Sequence, residues 1–229
     1  MEIIQVSMKQ LQDNMTIHYI TQSGTGSKNG TDWNNAYQGL PVNLIRGDTY
    51  YIAGGSYDGR SFNTVSSGTL TITIKAATIA DHGTDVGWSN SYSVEMTQVT
   101  WTSGVEFTSS YWIFDGSVGS MSKTITDYGF TFSPIPYPIS VYNLNNTITD
   151  IWMGHISANA PSGDVEKFYV GTDNQTKSVH NVTICHCRTS GFQCFTWSTS
   201  NALQMSNWII EYNVILNSYN SAAHHGGVI

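Results

Sequence analysis

From Ile17 to Ile215 the hydrophobic residues come in short runs that alternate with polar ones. Ile17-His-Tyr-Ile20, Thr49-Tyr-Tyr-Ile52 and the alternation of Leu70, Ile72 and Ile74 with threonine set the pattern. A period of two puts successive side chains on opposite faces of an extended strand. Further runs of this kind are Val99–Trp101, Tyr111–Phe114, Gly129–Phe132, Ile148–Met153, Lys167–Val170, Val182–Cys187 and Trp208–Ile215. Gly, Ser, Asn and Thr clusters separate them, which is the chemistry of turns. Helical spacing is confined to the N-terminus, where Ile4, Met8, Leu11 and Met15 form one stripe. A short amphipathic helix there would cover the first open sheet edge, and an unstructured leader is the other reading. One more turn of helix is expected around Trp33 to Leu40.

Many short strands separated by turns mean a sandwich, a barrel or a β-solenoid. Internal repeats choose among them. Asn181-Val-Thr-Ile-Cys-His-Cys-Arg-Thr aligns with Asn207-Trp-Ile-Ile-Glu-Tyr-Asn-Val-Ile, 26 residues on. Asp150-Ile-Trp-Met-Gly-His-Ile aligns with the former at an offset of 31, and Ser110-Tyr-Trp-Ile-Phe-Asp-Gly with Asp150 at 40. The shared pattern is a small polar residue, then apolar, any, apolar, then a polar turn. Recurrence at about 20–45 residues marks a solenoid, and unequal spacing fits insertions on one side of it. The alignment predicts that Asp115, His155, His186 and Tyr212 occupy equivalent strand ends, about 4.8 Å apart per coil. It also predicts that Ile113, Met153, Ile184 and Ile210 point into the core together.

Composition narrows the partners. The chain has 229 residues, 40% of them hydrophobic and 11% charged, and a net charge of −7. Its few basic residues are scattered, which argues against nucleic acid, whose binding needs clustered Lys and Arg. No run approaches the roughly 18 apolar residues of a membrane span. Cys185, Cys187 and Cys194 are odd in number and clustered, so they do not read as a disulfide framework. The opening MEIIQVSMKQLQDN lacks the basic start, apolar core and cleavage site of a secretory signal.

Tyr19-Ile-Thr-Gln-Ser-Gly-Thr-Gly-Ser, Asn29-Gly-Thr-Asp-Trp-Asn-Asn-Ala-Tyr and Arg46-Gly-Asp-Thr-Tyr-Tyr-Ile-Ala-Gly-Gly-Ser-Tyr resemble the opening of right-handed parallel β-helix proteins of the pectate-lyase-like superfamily. Leu70-Thr-Ile-Thr-Ile-Lys-Ala-Ala resembles the strand that follows, and the later repeats resemble its coils. The resemblance spans residues 17 to 229. It implies a carbohydrate-related function, because the family includes lyases and hydrolases of acidic or neutral polysaccharides, with adhesins and phage tailspikes. It also implies secretion and the possibility of calcium. The fold hosts many functions, so activity has to be argued from the site.

Lyases of that kind use a Lys or Arg base beside groups that neutralise the sugar acid, since a proton alpha to a carboxylate leaves only when the developing charge is stabilised. The late-strand bases are Lys167, Lys177 and Arg188, and the acids Asp150, Asp164, Asp173 and Glu211. Glycoside hydrolysis needs two carboxyl groups about 5–10 Å apart, and in the repeat alignment Glu211 faces Cys185 and Gly154. Zinc would need four N or S ligands. Cys185, His186, Cys187, Cys194 and the pair His224-His225 are the candidates, and packing of the thiols as small apolar residues is favoured. Seven Trp and thirteen Tyr offer rings that can stack on sugars. Trp208 aligns with a core position, whereas Trp152 aligns with Thr183 and is the candidate for exposure.

These readings converge on an all-β, right-handed parallel β-helix (solenoid) of about seven or eight coils. Residues 1–16 form an N-terminal cap or leader, and 17–229 the β-helix domain. The ending Val228-Ile229 reads as the start of a further coil, so the domain is expected to be incomplete at its C-terminus. The expected function is a carbohydrate-related module that is truncated and weakly active or inactive. A structural or self-assembling solenoid without enzymatic activity is the alternative. Arg188, Glu211, His224 and His225 are the catalytic candidates, and His155, His186, Tyr212 and Trp152 the substrate-binding ones. No resident metal or cofactor is expected from the residues themselves. Polysaccharide is the expected partner, along with homo-oligomer formation through the uncapped C-terminal coil.

Overall fold

The computed structural model describes residues 15–118, 128–135, 137–143, 145–159, 168–172, 177–190, 195–199 and 205–216. The expected N-terminal helix falls almost wholly on residues 1–14, outside the described residues. Met15 and Thr16 are described and are not helical.

The described chain is all-β apart from two single turns of 3-10 helix, Trp33–Asn35 and Asn90–Tyr92. Its strands make three sheets. The first holds β1 (Ile17–Thr21), β3 (Thr49–Ile52), β6 (Ile72–Ala76), β9 (Trp112–Asp115), β12 (Ile148–Gly154), β15 (Val179–Cys185) and β19 (Ile209–Glu211), with the two-residue β2 (Tyr37–Gln38) and β18 (Met205–Ser206) at its margins. The second holds β4 (Gly55–Tyr57), β7 (Val99–Trp101), β10 (Phe130–Phe132), β13 (Ile156–Asn159), β16 (Arg188–Ser190) and β20 (Val214–Leu216). The third holds β5 (Ser61–Phe62), β8 (Val105–Phe107), β11 (Ile139–Tyr142), β14 (Phe168–Thr172) and β17 (Phe195–Thr199).

Every pairing between these strands is parallel. From β3 onward the chain visits the first, second and third sheets in turn and then returns to the first. Parallel neighbours need long crossovers, and here each crossover is made of the strands of the other two sheets. The arrangement is compatible with a parallel β-helix or solenoid.

Alternation in the sequence sends one side chain of each pair inward. Tyr50, Ile74, Phe114, Met153 and Ile184 are successive rungs of one buried column in the first sheet. Val99, Phe130 and Ile156 form such a column in the second sheet, and Phe107 with Val141 in the third. Phe62 stacks on Phe107 with ring centroids 5.0 Å apart. Each large side chain taken fully from water contributes about 1.5–3 kcal/mol, so these columns hold the three sheets together.

The repeat offsets of 26 and 31 match the register: Ile184 pairs with Ile210, and Met153 with Ile184. The offset of 40 is corrected to 39, because Ile151 pairs with Trp112 and Met153 with Phe114. A slip of one residue exchanges the two faces of a strand. The inward residue of β9 is therefore Phe114, wholly buried, and Ile113 is on the outer face. Ile210 holds the expected register position but is 41% exposed. The run Trp208–Ile215 is divided at Tyr212 between β19 and β20, in different sheets.

Candidate functional site

Two loops decide which part of the first sheet stays open. Trp33, Trp88 and Tyr92 pack with Tyr19 and Tyr51, covering the outer face of the early strands. The Trp33 indole N–H donates to the His82 carbonyl at 3.0 Å, and Trp88 stacks on the His82 ring at 4.1 Å. At the margin of this cover Lys75 pairs with Asp81 at 2.6 Å, and the Tyr51 hydroxyl donates to the same carboxylate at 2.5 Å. Burial raises the pKa of Asp81, but these two bonds outweigh it, and its carboxyl sits below its ordinary value.

Past that margin a groove of 380 Å³ runs over β9, β12, β15 and β19. Trp152 lies in it, half-buried, with Ile113, Thr183 and Ile209 on the same face. The four stand side by side in the register, on adjacent strands. Along one edge run Asp150, Asn181 and Asn207, the residue that opens each repeat. All three have positive φ, 58°, 51° and 55°. Asp and Asn tolerate this left-handed conformation better than most residues. The Asn207 amide donates to Asn181 Oδ1 at 3.1 Å, and the Asn181 amide to Asp150 Oδ1 at 3.3 Å.

The opposite ends of the same strands carry a second left-handed column. His155, His186 and Tyr212 have φ of 57°, 52° and 55°. The two imidazoles are parallel to within 1°, with centroids 4.9 Å apart, and Tyr212 stacks on His186 at 5.1 Å. The repeat alignment placed these three together and is matched in spacing. Asp115 does not join them, because it pairs with Gly154, and Gly116 takes the place before His155. Burial holds the His155 imidazole below its ordinary pKa; Asp115 opposes this and His186 adds to it. The His186 Nδ1 atom is buried and has no hydrogen-bond partner among the described residues.

Asp115, Gly154, Cys185 and Glu211 are consecutive rungs of one outer column. Burial, with smaller contributions of the same sign from Glu211 and Asp115, pushes the Cys185 thiol up to about 11. The two carboxylates stand three strand spacings apart, about 14 Å. Cys187 does not share a strand face with Cys185: β15 ends at Cys185, the chain turns at His186, and Cys187 enters the main core. Its N–H donates to Asn213 Oδ1 at 2.8 Å. Among the described residues no group of three His, Cys, Asp or Glu side chains clusters as metal ligands do.

Of the catalytic candidates, Glu211 is exposed on β19, whereas Arg188 lies in the second sheet, beyond the turn at His186. No ion pair among the described residues joins them. His224 and His225 lie outside the described residues, as do Lys167, Asp164, Asp173 and Cys194. Sequence reasoning named Asp150 only among the acids available to a lyase and gave Asn181 and Asn207 no site role, although the recurrence of the three at the start of each repeat was the available signal. No family model, curated protein or solved structure matches the chain.

Proposed function

We propose that the chain is a right-handed parallel β-helix of the pectate-lyase-like kind that binds a neutral polysaccharide along the outer face of its first sheet. The observation that carries this reading is the Trp152 ring, half-buried in an open groove and flanked by the Asp150–Asn181–Asn207 ladder. A flat aromatic face takes the apolar face of a sugar ring, and amides exchange hydrogen bonds with its hydroxyls. Among the described residues no Lys or Arg lines the groove, so a uronic acid polymer would meet Asp150 there and no cation among them to pair with. Parallel strands repeat a ligand-facing position every 4.8 Å or so, which suits an extended polymer.

Binding is favoured over catalysis. Asp115 and Glu211 are too far apart for the roughly 5–10 Å that glycosidase carboxyl pairs need, and among the described residues the groove lining holds no Lys or Arg to serve as the base of an elimination. Electrophoresis through gels containing β-glucan, mannan, galactan, polygalacturonate or alginate tests the reading. The expected result is retardation by a neutral polymer, with affinity on the order of 0.1–1 mM, and no release of unsaturated products. Equal mobility in every gel, or turnover of a uronate polymer, sinks it.

A further inference from the structure

The corner that opens the repeats holds a polar residue before β12, β15 and β19, and an aromatic one before β9. Tyr111 precedes Trp112 as Asp150 precedes Ile151, and Trp112 pairs with Ile151. Tyr111 therefore heads the column that continues as Asp150, Asn181 and Asn207. On its other side stands Thr71, which precedes Ile72, and Ile72 also pairs with Trp112. Both neighbours of Tyr111 in this column, Thr71 and Asp150, line the Trp152 groove.

Tyr111 has a φ of 64°. Asp and Asn enter this left-handed region readily, whereas a bulky side chain there is strained. Backbone bonds hold the strained corner in place. The Tyr111 N–H donates to the Thr149 carbonyl at 3.0 Å, and its carbonyl accepts from Arg46 Nη1 at 2.7 Å and from the Ile72 N–H at 3.2 Å. None of these bonds uses the ring. The side chain is half-buried, and among the described residues its hydroxyl makes no hydrogen bond and its ring stacks on no other. The fold would accept Asn here, as it does at Asn181 and Asn207. Strained conformations cluster at ligand-binding sites, where the side chain serves something other than the fold.

We propose that Tyr111 is a second sugar-stacking platform of the groove at Trp152, so that separate sugar units of one neutral polymer chain rest on the two rings. The inference rests on the carbohydrate reading of that groove. The phenol ring offers a flat face to sugar C–H groups, and its hydroxyl is free to exchange a hydrogen bond with a sugar hydroxyl. Asp150, Asn181 and Asn207 continue the same column and serve the hydroxyls of the units between and beyond the rings. Tyr111 stands on one strand and Trp152 two residues further along the next, so a single sugar ring covers only one of them. Two contacts on one chain favour a polymer over its monosaccharide.

Tyr111→Asn separates a binding role from a structural one. The variant is made in the whole chain, and both its urea midpoint and its retardation in gels of β-glucan, mannan and galactan are measured. Asn relieves the strained corner, so the midpoint rises above that of the parent, while affinity for the polymer that retards the parent most falls about fivefold or more. Tyr111→Phe keeps the ring and loses far less affinity than Tyr111→Asn. A midpoint that falls in Tyr111→Asn would make the ring a structural part and overturn the inference. Affinity equal to the parent in Tyr111→Asn, or lost equally in Tyr111→Phe, would also overturn it. If Trp152→Ala weakens retardation and Tyr111→Asn does not, the second platform fails and the groove stands. If no gel retards the parent, the carbohydrate reading fails and the platform with it.

Discussion

The Trp152 indole lies across the backbone of Gly154, two residues further along the same face of β12. A methyl group at Gly154 would come within 2.5 Å of Trp152 Cη2 and 2.9 Å of Cζ2. The absence of a side chain at Gly154 is what lets the ring lie against the strand as a platform. Gly154→Ala should therefore lift the ring and weaken polymer retardation as much as Trp152→Ala does. Overpacking at such contacts costs about 1–3 kcal/mol, so the variant should still fold. Normal retardation with a displaced Trp152 ring would show that the flat platform is not needed.

The imidazole stack makes stability depend on pH. His155 has a folded-state pKa below its ordinary 6.5, so below about pH 6.5 the unfolded chain binds the proton first. Stability is full above that value, falls as the pH drops below it, and levels off beneath the folded pKa. His155→Asn keeps a residue that tolerates positive φ and removes the titrating group. Urea midpoints measured between pH 7 and pH 5 should fall less steeply in that variant than in the parent. Equal slopes would mean that His155 titrates normally in the folded chain.

Backbone strain and side-chain bonding can be separated at Asn181. Asn181→Ala removes the bonds to Asp150, Thr149 and Asn207 and leaves a β-carbon at φ 51°. Asn181→Gly removes the same bonds and relieves the strain. The Gly variant should be the more stable of the two by about 1 kcal/mol, and Asn181→Val the least stable of the three. Chemical denaturation orders them. A Gly variant no better than Ala would assign the preference for Asn to its hydrogen bonds alone.

Two thiols should be unreactive in the folded chain. Cys185 titrates near 11 and Cys187 is raised further by complete burial. At pH 8 roughly one Cys185 in a thousand is thiolate, the form that alkylates. Iodoacetamide followed by peptide mapping should leave both cysteines unmodified until denaturant is added. Rapid native labelling of Cys185 would place it in a more open setting than the outer column gives it.

The repeating opening residue and the alternation after it made the first sheet legible in the sequence. Three aligned segments fixed the His155–His186–Tyr212 column because each places a ring, His or Tyr, five residues after the Asp or Asn that opens it. The segment at Ser110–Gly116 was placed one residue out. There Tyr111 occupies the left-handed corner that Asp150, Asn181 and Asn207 fill elsewhere, and an aromatic residue does not announce such a corner. The second and third sheets were harder to see. Strands such as Ser61–Phe62 and Val105–Phe107 are two or three residues long, too short for alternation to show. The cover over the early strands was also hidden, because Trp33 and Trp88 reach the sheet from loops. The open groove is what that cover leaves, so its position follows from packing between residues distant in sequence.

Calorimetric titration of the parent chain and Trp152→Ala with the neutral polysaccharide that retards the parent most strongly tests the central claim directly. Loss of the platform should weaken binding about tenfold or more. Identical isotherms for the parent and Trp152→Ala would contradict a site on the outer face of the first sheet.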